Sequence, residues 1–185
     1  MYYTELSNGF GATDAIRVAP FNSGAGGSDT RTLPHPRPGT GIQDLAFVGD
    51  DLYVLTGYPN AALQVFRLNP DTGAVLSGPI NITGGAGGDA DGFTVLPNGN
   101  FLINDGDASC RYNQYNPSTG ALIDGSTITV DASQCTGVDT DGTSLFFMTN
   151  FNTLTKTTLD GEVTGTTRIS DDHDPPEVED IAIVR

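Results

Sequence analysis

The chemistry available to this chain rests on carboxylates. Asp44, Asp91 and Asp180 each stand at or just before a short apolar run, with Gln43 and Glu179 as neighbours. Brought together in a narrow space, such groups repel one another unless they are protonated or neutralised by a cation. Calcium is the natural partner, because it takes several carboxylate and carbonyl oxygens in a flexible geometry. The competing role is mechanical, with each Asp capping its own strand through a backbone N–H. Asp105-Gly106-Asp107 and Asp139-Thr140-Asp141-Gly142 look like pieces of calcium loops, without the full spacing or closing Glu of an EF-hand. Asp105, Asp107, Asp174 and Glu179 are therefore candidate ligand-binding positions, and Asp44, Asp91 and Asp180 a candidate cation set.

Catalytic machinery is harder to assemble. His35 lies in the stiff segment Pro34-His35-Pro36-Arg37-Pro38, and His173 sits between Asp172 and Asp174. An imidazole in such surroundings is more often a surface group than a general base. There is no Gly-x-Ser-x-Gly elbow, P-loop or His-Glu-x-x-His motif. The chain is expected not to be an enzyme, with no catalytic residue assigned. Its net charge of −15, from 23 acids against 8 bases, argues against nucleic acid or an anionic membrane as partner. No run of 18 apolar residues is present, so membrane insertion is not expected.

The elements that must position these groups follow from a repeat. Leu45, Phe93, Val138 and Ile181 occupy equivalent places in four related segments, at spacings of 48, 45 and 43 residues. A period in the forties, with short strands and glycine-rich turns, points to propeller blades. Asn69-Pro70-Asp71-Thr72-Gly73 and Asn116-Pro117-Ser118-Thr119-Gly120 mark the same turn in consecutive units. Three columns stay apolar: Ile16, Leu63, Cys110 and Leu154; Phe21, Leu68, Tyr115 and Leu159; Ile42, Ala90, Cys135 and Val178. The expected fold is all-β, a single four-bladed β-propeller over residues 1–185. Its blades fall near 178–185 plus 1–38, 39–88, 89–133 and 134–177. The first is completed by the C-terminal strand Val178 to Val184 beside Tyr2-Tyr3, which ties the ring shut and removes exposed edges. A variant lets that strand complete the ring of a neighbouring chain. A β-sandwich is the rival fold, since its turns recur at similar intervals.

The segments Asn69 to Val75 and Asn116 to Leu122 resemble the turn of secreted bacterial propeller repeats, of the quinoprotein-like and NHL-like kind. The resemblance implies an extracytoplasmic, secreted propeller. Asp44-Leu45-Ala46-Phe47 and Asp180-Ile181-Ala182-Ile183 are similar to the start of hemopexin repeats, which implies four blades with cations in the channel.

Cys110 and Cys135 are the only cysteines and fall at the top ends of strands in successive blades. They are expected to form a disulfide, the alternative being two buried free thiols. Asn81-Ile82-Thr83 fits the glycosylation sequon but falls in a strand. Tyr112, Tyr115, Phe146, Phe147 and Phe151 are expected to pack between blades rather than form a sugar platform. The outer strands, Thr30 to Leu33, Ile80 to Ile82, Thr127 to Val130 and Thr166 to Ile169, are mostly rich in Thr and β-branched residues and carry few charges. The functional expectation is a non-catalytic extracellular disc acting as a structural, adhesive or self-assembling subunit, with self, another extracellular protein or a glycan as partner. The alternatives are a carbohydrate- or ligand-binding module using a cation, expected to be calcium, on its acidic top face, and then a metal-dependent hydrolase or lyase. No organic cofactor is expected.

Overall fold

The computed structural model describes residues 2–5, 15–18, 31–57, 62–87, 90–106, 110–150 and 152–169. These residues form strands and turns, with no helix among them. Among the described residues, fifteen strands make four antiparallel sheets. The first holds β1 (Tyr2–Glu5), β2 (Ala15–Val18) and β3 (Arg31–Leu33). The second holds β4 (Ile42–Val48), β5 (Asp51–Thr56), β6 (Gln64–Leu68) and β7 (Val75–Asn81). The third holds β8 (Phe93–Val95), β9 (Phe101–Asn104), β10 (Arg111–Tyr115) and β11 (Ile128–Thr129). The fourth holds β12 (Cys135–Thr140), β13 (Ser144–Thr149), β14 (Thr153–Thr158) and β15 (Val163–Arg168). Each four-stranded sheet is an up-and-down meander in chain order, and adjacent inner strands β4, β8 and β12 lie side by side. This is a β-propeller.

The first sheet has three strands among the described residues, with β1 lying beside β4. The expected inner strand, Val178 to Val184, lies outside the described residues. Of the outer strands expected from the sequence, β3 and β11 fall within Thr30 to Leu33 and Thr127 to Val130. The fourth strands of the second and fourth blades are longer than expected: β7 runs unbroken from Val75 to Asn81, and β15 begins at Val163.

Three apolar cores separate the blades, one at each described junction. Ile16 and Leu33 of the first blade pack with Ile42, Leu52, Val54, Phe66 and Leu68 of the second. Between the second and third lie Leu55, Val65, Phe93, Phe101 and Tyr115, with Phe93 and Phe101 edge to face at 5.7 Å. Between the third and fourth lie Leu102, Tyr112, Val138, Leu145 and Phe147, with the Tyr112 and Phe147 rings 4.9 Å apart. Burying each large apolar side chain favours folding by about 2 kcal/mol, so these junctions hold the ring together. The aromatic residues expected to pack between blades thus do so at Tyr112, Tyr115 and Phe147. Phe146 instead lies under the Lys156 ammonium at 5.3 Å, and Phe151 lies outside the described residues.

The turn between third and fourth strands has a second task. Asn69 Oδ1 accepts the Asp71 and Thr72 N–H groups, and Asn116 Oδ1 those of Ser118 and Thr119. The glycine closing the turn, Gly73, Gly120 or Gly161, abuts the outer part of the preceding blade. A Cβ there would lie 2.5 Å from Pro34 Cδ, 1.9 Å from the Asn81 carbonyl oxygen and 2.6 Å from Ile128 Cγ2 respectively. The second, third and fourth blades are therefore each seated on the preceding one through a glycine.

Cys110 and Cys135 form the expected disulfide, with Cα atoms 4.9 Å apart. It ties the start of β10 to the start of β12, across the junction of the third and fourth blades.

Candidate functional site

The inner strands carry their carboxylates to the axis, where two of them bind blade to blade. Asp44 is buried, 3 % exposed. Its Oδ1 accepts the Leu45 N–H at 2.6 Å, and its Oδ2 accepts the Phe93 N–H of the next blade, also at 2.6 Å. Beside it, Gln43 Nε2 donates to the Ala90 carbonyl at 3.2 Å. One junction further, Asp139 Oδ1 accepts the Thr140 N–H at 2.7 Å and the buried Thr94 hydroxyl at 3.0 Å. At that junction Gly92 lets the strands close up: a Cβ there would lie 2.6 Å from the Thr136 carbonyl oxygen. Hydrogen bonds to an ionised carboxylate are short and strong, and one such bond links β4 to β8 and another β12 to β8.

The candidate cation set divides accordingly. Asp44 points into the junction and is engaged by two backbone donors. Asp91 is exposed, one residue ahead of Gly92. Asp180 lies outside the described residues, as do Glu179, Asp107 and Asp174. Among the described residues, no three His, Cys, Asp or Glu side chains are grouped to hold a metal ion. The calcium-loop fragment at 139–142 acts locally as well. Asp141 Oδ1 accepts the Thr143 N–H, the Thr143 hydroxyl and the Ser144 N–H at 2.7–2.8 Å. The Thr143 hydroxyl, then the two backbone donors, hold the Asp141 carboxyl below the usual carboxylate range.

Asp105 lies on the upper surface in a different network. Its Oδ1 accepts from Asn113 Nδ2 at 3.3 Å, and its Oδ2 lies 3.8 Å from the Arg111 guanidinium. The loop entering β8 passes over this group. The Ala86 N–H donates to the Tyr115 hydroxyl oxygen at 2.6 Å, and the Gly87 N–H to the Asp105 carbonyl at 3.4 Å. Burial is the main cause that raises the Tyr115 hydroxyl above its ordinary ionisation. Asn113 is fixed in turn by the Thr127 hydroxyl, which donates to its Oδ1 at 2.7 Å. His35 is also fixed: its Nδ1 accepts the Arg37 N–H at 3.0 Å.

Two groups that position these elements escaped the sequence reading. The Asp139–Thr94 bridge was hidden because Asp139 read as part of a calcium loop, whereas Thr94 gave no signal. Arg31 reaches from the first blade to the turn of the second, donating to the Asp71 and Pro70 carbonyls at 2.8 and 3.1 Å. Its exposed pairing with the Asp71 carboxylate is 3.5 Å long.

Against known proteins, the fold finds counterparts where the sequence does not. No family profile matches the chain, and no curated protein matches it in sequence. A glutaminyl cyclase from Myxococcus xanthus is similar over 91% of this chain and 75% of its own, with a TM-score of 0.64 and 14% identity. A protein of unknown function from Bacteroides caccae covers 88% of this chain and 57% of its own, at a TM-score of 0.47 and 12% identity. The WD40 β-propeller domain of Doa1 covers 85% and 45%, at 0.41 and 15%. The likeness to the cyclase is one of fold alone.

Proposed function

We propose that this chain is a non-catalytic extracellular β-propeller that serves as a structural or adhesive subunit, a rigid disc that packs against copies of itself or another extracellular molecule. The observation that carries the reading is the use made of the axial carboxylate. Asp44 spends both oxygens on backbone N–H groups of adjacent inner strands, which stiffens the disc rather than presenting a reactive group. The Cys110–Cys135 disulfide supports an oxidising, extracytoplasmic setting. The test is sedimentation velocity of the disulfide-intact protein from ~1 to ~200 µM, at low and moderate salt. Association into a defined species supports the structural reading, and a monomer at every concentration counts against self-assembly.

A second reading is a glycan- or ligand-binding module in which calcium sits on the acidic upper face. Exposed Asp91 and the Asp105 network favour it. A calcium-dependent rise in melting temperature would be its signature. The enzymatic reading, a metal-dependent hydrolase or lyase, gains a specific assay from the structural neighbour: glutaminyl cyclase activity. Turnover by the purified chain would displace the structural reading.

A further inference from the structure

The triplet Asn81-Ile82-Thr83 carries chemistry that the ring itself does not use. An Asn-x-Ser/Thr triplet accepts an Asn-linked oligosaccharide when its middle residue is not proline. It is the only such triplet in the sequence, because Asn116-Pro117-Ser118, in the repeated turn of the third blade, is closed by Pro117. The linked group is bulky and hydrated, so the asparagine must reach solvent and its amide nitrogen must be unclaimed.

Asn81 meets both conditions. It ends β7, the outermost strand of the second blade, and is exposed. The backbone around it is committed. Asn81 pairs with Gln64 of β6, the Ile82 N–H donates to the Leu63 carbonyl at 3.0 Å, and the Thr83 N–H to the Gly120 carbonyl at 2.9 Å. Ile82 is buried, so the triplet is anchored by its middle residue while its first residue stands out. Asn81 Oδ1 accepts from Gln64 Nε2 at 2.7 Å in an exposed pair. Among the described residues, its Nδ2 has no hydrogen-bond partner. Attachment at Nδ2 leaves the bond to Oδ1 intact.

The scaffold does not account for an asparagine here. The first residue of the third strand faces Asn81 in the second blade, Thr129 in the third and Arg168 in the fourth. An exposed hydrogen bond between two side-chain amides exchanges with water and adds little to stability. The strand therefore tolerates other residues at this place, and the asparagine is explained by what it can carry.

We infer that Asn81 is the attachment site of an Asn-linked oligosaccharide on the outer rim of the second blade. Asn81 Nδ2 bonds to the anomeric carbon of a lipid-pyrophosphate-linked oligosaccharide. The anomeric C–O bond breaks, the lipid pyrophosphate leaves with the electron pair, and Nδ2 gives up one proton. In the finished ring the Thr83 hydroxyl donates to the Gly120 carbonyl at 3.5 Å, which places transfer before the second blade closes on the third. The inference rests on the extracellular reading above and gives that disc a chemical mark.

The test is secretion of the full chain, behind a removable signal, from a eukaryotic cell that performs this transfer. Intact mass and peptide mapping are compared before and after amidase release, which converts the linked asparagine to aspartate. The wild type is expected to carry one oligosaccharide, at Asn81. Asn81→Gln and Thr83→Val are expected to lose it entirely, and Thr83→Ser to keep it. Circular dichroism and melting check that the variants fold; if Thr83→Val does not, Asn81→Gln decides alone. A folded, secreted wild type without oligosaccharide, or an oligosaccharide that persists in Asn81→Gln, overturns the site and leaves the structural reading standing. A chain that carries the oligosaccharide but stays monomeric in sedimentation upholds the site and counts against self-assembly alone.

Discussion

Replacing Gly120 by alanine attacks the seat of one blade on another. The new Cβ would lie 1.9 Å from the Asn81 carbonyl oxygen and 2.7 Å from its carbonyl carbon. Both are backbone atoms, so the clash is relieved only by moving the end of β7 away from the turn. That end is bound through the Thr83 N–H, which donates to the Gly120 carbonyl at 2.9 Å, and through the Leu122 N–H, which donates to the Thr83 carbonyl at 3.1 Å. Gly120 has φ of 69°, and a side chain in the left-handed region costs about 1–2 kcal/mol. Losing two hydrogen bonds adds about 1 kcal/mol each, for a total of about 3–4 kcal/mol. In a chain of this size each kcal/mol lowers Tm by about 2–4 °C, so a fall of about 10 °C is expected. Gly99→Ala is the control. Gly99 also has a positive φ, 87°, but a Cβ there meets nothing within 4 Å. It should lose only about 1–2 kcal/mol, or ~4 °C. Thermal and urea unfolding of both variants provide the comparison. Equal losses would refute the argument that the turn glycine seats the blade.

Reducing the Cys110–Cys135 disulfide, or replacing both residues by alanine, frees a loop of sequence separation 25. The expected loss is about 3 kcal/mol in urea unfolding at neutral pH, and an unchanged midpoint would show that the bond contributes nothing. The raised Tyr115 ionisation predicts alkaline sensitivity. Its stabilisation is fully present below tyrosine's ordinary value near pH 10 and is lost as pH rises through the higher folded value. Tyr115→Phe should cost about 1 kcal/mol at neutral pH, through the Ala86 N–H it leaves. It should also flatten the decline in Tm above about pH 10; parallel curves for the two proteins would contradict this.

Much of the scaffold was legible because propeller periodicity is written in residues with backbone consequences. The paired Asn-Pro-x-Thr-Gly turns fixed two blades, and the apolar columns fell on buried positions at Ile16, Leu63 and Cys110, at Leu68 and Tyr115, and at Ile42, Ala90 and Cys135, while Leu154 and Leu159 are half-buried. The cysteine pairing was legible for the same reason, since both residues stood at strand ends of adjacent repeats. The site was less so. Asp44 and Asp139 were recognisable as candidate carboxylates, but the partners that define their roles, Phe93 and Thr94, come from another repeat 45 to 49 residues away. An N–H donor leaves no trace in a sequence. The seating of Gly73, Gly120 and Gly161 against the preceding blade was equally hidden, because their turn chemistry already accounted for each glycine. Composition alone set the strand lengths wrongly at β7 and β15.

The account turns on whether Asp44 braces the inner strands or serves a ligand, and one measurement separates the two. Wild-type protein and Asp44→Asn are melted with millimolar calcium and with chelator. An amide can accept only one of the two short N–H bonds that the carboxylate accepts, and losing a bond to a charged group costs about 2 kcal/mol. The bracing account predicts a wild-type Tm unchanged by chelator and a fall of about 6 °C in Asp44→Asn, equal in both buffers. A wild-type Tm that rises with calcium, together with an Asp44→Asn protein that loses only that rise and keeps its calcium-free stability, would contradict it.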